Sequence, residues 1–245
     1  LSASLDSVGP LTRSVDDALW LVAAMAGEEL PAPAAPPGLD GVRITALAPA
    51  QFPDFIEPDV VDAFERALAR LRELGASVRD ERIPFDFAAL GARNGRIIGI
   101  EGYAAHREVM DDPSADVDPG VRQRMLLARA ATAAEYLDAL AQRREAMAAF
   151  DAWMRDRDAL ATPMLPITAR AVAEVDETTY PLATWSRAVN YLGACAISVP
   201  APLPRGGLPV GVQLVGRAGG DDVVSRIGAA ALRGEPLARP PVGSA

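Results

Sequence analysis

The sequence has no lysine: all 24 basic residues are arginine. It has one cysteine, Cys195, and one histidine, His106. Each shortage closes off a class of chemistry. Without lysine there is no amine whose proton affinity can be tuned toward neutrality, and a guanidinium keeps its proton at any working pH. A catalytic set that needs a lysine base therefore cannot be assembled from these residues alone. A single cysteine forms no internal disulfide and fits a reducing, cytoplasmic setting. One Cys and one His cannot fill a structural zinc site. A Cys–His nucleophilic pair can be drawn in one way only, Cys195 with His106, and packing is the commoner role of such residues. No apolar run approaches the roughly 18 residues that span a bilayer. No secretory leader is read, and Leu1 is not a translation start.

What is present fits an ordinary folded chain. With 245 residues, half of them hydrophobic, the sequence supports one large domain or two small ones. The net charge of -9 sets the surface against nucleic acid and anionic membranes, so neither is expected as a partner.

Hydrophobic spacing gives the elements. Ser14 caps a helix whose Ala18, Leu21, Val22 and Met25 define an apolar face, closed by Gly27. Residues 28–39 form a proline-rich linker. Val42–Leu47 reads as a strand. Pro58 opens a helix with Val60, Val61, Phe64, Leu68, Leu71 and Leu74 on one side, and Gly75 ends it. Ala76–Ile83 alternates as a second strand, predicting a parallel crossover. A helix is predicted over 88–110, then a solvated acidic loop, Asp111–Asp118. Tyr136, Leu140, Arg143, Met147, Phe150 and Met154 form the inward stripe of a long helix, with Arg143 interrupting it. Ala159–Ala161, Ala196–Val199 and Val210–Val215 read as strands, and Ser186–Leu192 as a short helix. Asp221 is the predicted cap of a last helix, followed by a mobile tail over 236–245. Gln213, inside an apolar strand, must satisfy its amide locally.

Five motifs stand in order along the chain. They are Ser4-Leu-Asp-Ser-Val-Gly-Pro continuing to Ala18, Asp158-Ala-Leu-Ala-Thr-Pro163, Asn190-Tyr-Leu-Gly193, Ala196-Ile-Ser-Val-Pro200, and Gly207-Leu-Pro leading into Gly211-Val-Gln. Together they resemble the amidase signature family, hydrolases of amide bonds that use a Ser–cis-Ser–Lys triad. The resemblance covers nearly the whole chain. It implies an α/β fold with a mixed central sheet flanked by helices, and makes residues 1–245 the C-terminal portion of a single amidase-signature domain.

In that family the lysine, the Gly/Ser-rich loop and the nucleophile precede the first of these motifs, so no catalytic residue is assigned to this chain. The resemblance places substrate-pocket residues just before the Asn-x-x-Gly turn, making Thr184, Trp185, Arg187, Asn190 and Tyr191 the candidates. On the residue level Trp185 could form an apolar wall and Arg187 could receive a carboxylate, or the segment could be a half-buried helix with one arginine reaching to solvent. Tyr103, with Glu101 and Arg124, lies on the helical middle section and either reaches the pocket mouth or pairs at the surface. Relatives that take ammonia from glutamine place an acidic residue in this region, and Thr184–Tyr191 has none.

The implied partner is the N-terminal catalytic half of the amidase domain, on the same or a separate chain, with a small-molecule amide as substrate. A homodimer of the complete protein stays open, and no metal or organic cofactor is implied. The alternatives are a non-catalytic, amidase-like partner protein and an independent α/β binding protein.

Overall fold

A computed structural model describes residues 1–30, 38–175, 182–202 and 208–232. Most of the 28–39 linker, the 236–245 tail, Tyr180 and Gly207 lie outside the described residues. In chain order the regular elements are α1 (Val15–Ala26), β1 (Arg43–Leu47), α2 (Pro58–Glu73), β2 (Ser77–Glu81), α3 (Phe87–Asp111), α4 (Pro119–Leu126), α5 (Ala133–Trp153), β3 (Ala159–Pro163), α6 (Ser186–Tyr191), β4 (Cys195–Pro200), β5 (Gly211–Gly216) and α7 (Asp221–Ala231). No helix of the described residues is long and apolar enough to cross a membrane. The chain divides into two compact units.

One unit comprises Gly9–Ile83, Met154–Leu182 and Cys195–Ala245. It contains a five-stranded mixed sheet of order β2-β1-β3-β5-β4. β1 runs parallel to β2 and β3, with Ile44 opposite Val78 and Ala159. β5 is antiparallel to both β3 and β4, with Leu214 opposite Ala161 and Ile197. β1, β3 and β5 are buried along nearly their whole length, which is why they are mostly apolar, with Thr45, Thr162 and Gln213 as their buried polar residues.

The core forms where α2 places Val60, Phe64, Leu68 and Leu71, and α7 places Val224 and Ile227, against Ile44, Ala161, Val212 and Leu214. Each such side chain stabilises the fold by about 1.5–3 kcal/mol. Gln213 is buried, and its Nε2 donates to Thr162 Oγ1 at 3.1 Å, which settles its amide within the sheet. Asp158 receives Arg43 in a fork, from Nε and Nη2 at 3.1 Å each, and also the Arg43 backbone N–H at 2.8 Å. The acid of the Asp-x-Leu-x-Thr-Pro motif thus ties β3 to β1 rather than doing chemistry.

Burial completes one expectation for this unit, and capping corrects a second. In α1 the cap is as read: Ser14 accepts from the Asp17 N–H, and Gly27 takes φ 70°. However, Leu21, Val22 and Met25 are 47%, 43% and 54% exposed, while Val15 and Ala23 are the buried residues. Local spacing locates an apolar face but does not say what covers it. The second concerns α7, whose cap is Gly220, with no side-chain cap bond. Asp221 lies in the first turn beside Asp222, where the helix dipole favours acid.

The other unit comprises Leu1–Val8, Pro84–Trp153 and Ala183–Ala194, and is helical. Asp86 caps α3 by accepting from the Ala89 N–H at 3.0 Å. α3 departs from helical geometry at His106, where φ is -122° and ψ 18°. Gly102 lies close against α4: a Cβ there would lie 2.7 Å from Met125 Sδ, so that flexible side chain would have to shift. Phe85, Phe150 and Trp153 form an edge-packed cluster at the end of α5, with centroids 5.5–6.0 Å apart.

α4 is an element that the pattern did not reveal. Asp118 caps it through the Val121 N–H, and Pro119 takes the first helical position. The acidic stretch before it is used for local structure. Asp112 accepts from the N–H and hydroxyl of Ser114 at 2.8 and 2.6 Å. Arg122 donates to the carbonyls of Val109, Met110, Asp112 and Ala115, closing the end of α3. Among the described residues no cluster of acids, His and Cys could hold a metal.

Candidate functional site

The segment before the Asn-x-x-Gly turn folds as α6, a six-residue helix entered through Trp185. Its placement sorts the sequence-derived candidates. Trp185 is 1% and Tyr191 0% exposed, so both are core side chains of this unit. Thr184 is half-buried and Arg187 is exposed. Arg187 sits where α6 crosses α3, its Cβ 3.7 Å from the position a Cβ on Gly91 would take. Tyr103 is not brought to α6. It lies nine residues beyond the α6 contact at Asn94, about 14 Å along α3, and its hydroxyl donates to Asp111 at 3.0 Å.

Asn190 is the junction of a polar network. Its Oδ1 accepts from Asn94 Nδ2 at 2.7 Å, and its own Nδ2 donates to the Leu5 carbonyl at 2.7 Å. Arg143 of α5 donates to the carbonyls of Ser4 (2.8 Å), Tyr191 (3.0 Å) and Asn190 (3.5 Å). Burial lowers the proton affinity of this guanidinium, while the nearby Glu101 charge raises it. The residue that interrupts the apolar stripe of α5 is therefore the one that joins α5, α6 and the N-terminal turn.

Glu101 holds the same turn from α3. Its carboxylate accepts from Ser2 Oγ at 2.5 Å, Tyr136 OH at 2.6 Å and the Ser4 N–H at 3.0 Å. Burial pushes its pKa upward, but the hydrogen bonds from Ser2, Tyr136 and Ser4 outweigh that and bring it to about 2. The Tyr136 phenol is raised by the same bond. On sequence alone Glu101 stands between pocket and surface; its partners are 35, 97 and 99 residues away, beyond local pattern.

Three buried atoms of this network, Ser4 Oγ, Asn94 Oδ1 and Tyr191 OH, have no hydrogen-bond partner among the described residues. Buried groups of this kind ordinarily meet water, a ligand or another chain.

The depressed Glu101 pKa predicts a pH dependence. Its contribution is fully present above the ordinary glutamate value of 4.5 and is lost as pH falls from there through about 2. Glu101→Gln is expected to cost about 1–3 kcal/mol at pH 7 and to flatten the fall in melting temperature across that acid window. Thermal melts of both proteins over that window check this.

Cys195 does not supply a nucleophile. Burial, helped by the Asp221 charge, pushes its thiol up to about 11, and its Sγ donates to the Arg217 carbonyl at 3.0 Å. At neutral pH it is a thiol, not a thiolate.

Residues 1–224 match the family model described as Amidase. The chain belongs to the amidase signature family. Among curated relatives it is 35% identical over 229 residues to the 2-amino-5-chloromuconic acid deaminase of Comamonas testosteroni, covering 88% of this chain and 48% of that protein. It is 31% identical over 261 residues to a glutamyl-tRNA(Gln) amidotransferase subunit of Geobacter sp. strain M21, covering 91% and 54%. Among solved structures, one described as an amidase superposes with a TM-score of 0.78 at 28% identity, over 94% of this chain and 53% of that one. The corresponding glutamyl-tRNA(Gln) amidotransferase subunit of Thermotoga maritima superposes at 0.71, also at 28% identity, over 96% and 54%. The chain spans about half the length of the curated relatives it matches.

Proposed function

We propose that this chain is the C-terminal portion of a single amidase-signature domain whose complete form hydrolyses a carboxamide. The observation that carries the reading is an amidase match over residues 1–224 in a chain without a lysine. A lysine base, a bridging serine on a cis peptide and a nucleophilic serine then come from an N-terminal half, on the same or a separate chain. The activated serine attacks the amide carbonyl, the nitrogen leaves as ammonia or an amine, and water releases the acyl group. Backbone N–H groups stabilise the oxyanion. The chain alone is inactive in this scheme, and the complete protein works in the cytoplasm.

This chain's part is to extend the sheet and shape the substrate side. Arg187 is the candidate whose guanidinium is exposed and makes no hydrogen bond or ion pair among the described residues, so it is the group offered to a polar substrate substituent. Asn190 and Tyr191 act through position: Asn190 is committed to Asn94 and Leu5, and Tyr191 is buried. Two features support an N-terminal half as partner. α1 presents Trp20, Leu21, Val22 and Met25 to solvent. β4, uncharged over Cys195–Pro200, pairs on one side only among the described residues, whereas the other edge strand, β2, carries Arg79, Asp80 and Glu81. Charged edges resist pairing and apolar edges invite it.

The test is complementation. Residues 1–245 are co-expressed with the N-terminal half of an amidase-signature relative, and ammonia release from a carboxamide panel is measured. Turnover is expected only from the pair, and is lost when the lysine of the added half is replaced. Turnover that survives that replacement contradicts the reading.

A further inference from the structure

A groove of about 710 Å³ opens on the helical unit, between α3, α4 and the start of α5. Its more buried lining is small and apolar, Gly99, Ile100 and Ala128, and its exposed lining includes Gly95, Arg93, Arg96 and Arg124. Arg96 is held by Glu135 at 3.0 Å. Arg93 and Arg124 make no side-chain hydrogen bond or ion pair among the described residues. Two uncommitted guanidiniums at one groove are notable in a chain of net charge -9, where carboxylates outnumber basic residues by 33 to 24.

Gly95 supplies a second observation. Glycine inside a helix costs about 1 kcal/mol relative to alanine, so a packing reason is expected for it. At Gly102 a Cβ would crowd Met125, but a Cβ on Gly95 would meet nothing within 4 Å, and its φ is not positive. No described neighbour requires this glycine. What its missing side chain leaves is open space at the groove, between Arg93 and Arg96 in sequence.

We propose that this groove binds an organic monocarboxylate with an apolar body. The guanidinium fork matches a carboxylate through two parallel hydrogen bonds, and the small-residue lining takes an apolar body. Glu135 in the wall opposes a second negative charge, which disfavours phosphate and dianions. The site goes beyond amide hydrolysis and does not depend on it, since every residue named belongs to this chain.

The experiment titrates residues 1–245 with benzoate, acetate and inorganic phosphate, following chemical shifts or heat. Benzoate is expected to bind saturably and more tightly than acetate or phosphate. The Arg93→Ala/Arg124→Ala double variant is expected to weaken it by about tenfold or more, through loss of charge-assisted bonds. Gly95→Leu, which puts a bulky side chain at the groove and improves helix propensity, is expected to abolish binding without lowering the melting temperature. The proposal is overturned if benzoate shows no saturable binding, or if acetate or phosphate binds as well. Benzoate binding that survives either variant, or a Gly95→Leu protein that melts earlier, overturns it too.

Discussion

Replacing Trp185 with alanine destabilises the protein by about 3–5 kcal/mol, the usual cost of emptying a large aromatic site in a core. The side chain is 1% exposed and stands at the entry to α6, beside the buried Ala188 and Val189. Its place in the chain suggests a pocket wall; its burial makes it a packing residue first. Its loss leaves a cavity that the short helix, packed along α3, cannot collapse to fill. The measurement is denaturant unfolding of wild type and Trp185→Ala. A large fall in midpoint at unchanged slope is the expected result. A change below about 1 kcal/mol, the range of surface substitutions, would mean that Trp185 borders open space and serves as a wall after all.

Arg143→Ala is the second large effect, with an expected cost of about 3 kcal/mol. One guanidinium answers carbonyls of Ser4, Asn190 and Tyr191, and its removal leaves partly buried acceptors without donors. Arg143→Lys is expected to recover less than half of that loss, because a single ammonium cannot present a planar fork to three separated carbonyls. Full recovery by lysine would show that charge alone matters at this position. The same melts reveal whether Arg143 acts as a unit with Glu101. Both grip the Ser2–Leu5 turn, so the double variant is expected to lose less than the sum of the two single losses.

The sheet is readable because its signals are local. Pro58, the apolar spacing through Leu74 and the glycine after it delimit α2 without reference to anything distant, and the run Val210–Val215, apolar apart from Gln213, reports a strand buried on both faces. α4 carries local signals as well, Asp118 followed by Pro119, but they stand at the end of an acidic stretch that reads as loop. What spacing leaves open at α1 has a different origin. Its apolar face is real, yet Leu21 and Met25 stay exposed, because amphipathic spacing records that a face is meant to be covered and not which polypeptide covers it.

The candidate site is the least legible. Arg143 looks like a defect in an apolar stripe, and Glu101 like a surface acid. Their meaning depends on carbonyls, hydroxyls and N–H groups as far as 139 residues away, which fold topology brings together and spacing cannot anticipate. Tyr103 groups with the pocket by neighbourhood in sequence, whereas the length of α3 carries it toward Asp111.

The central claim is that these residues frame an amidase site without holding its reacting groups. The most direct test is ammonia release from a panel of simple carboxamides by purified residues 1–245, with no other polypeptide present. The account predicts none above the buffer blank at any pH between about 6 and 9, a range in which arginine stays fully protonated. Release that scales with the concentration of this chain alone would contradict it.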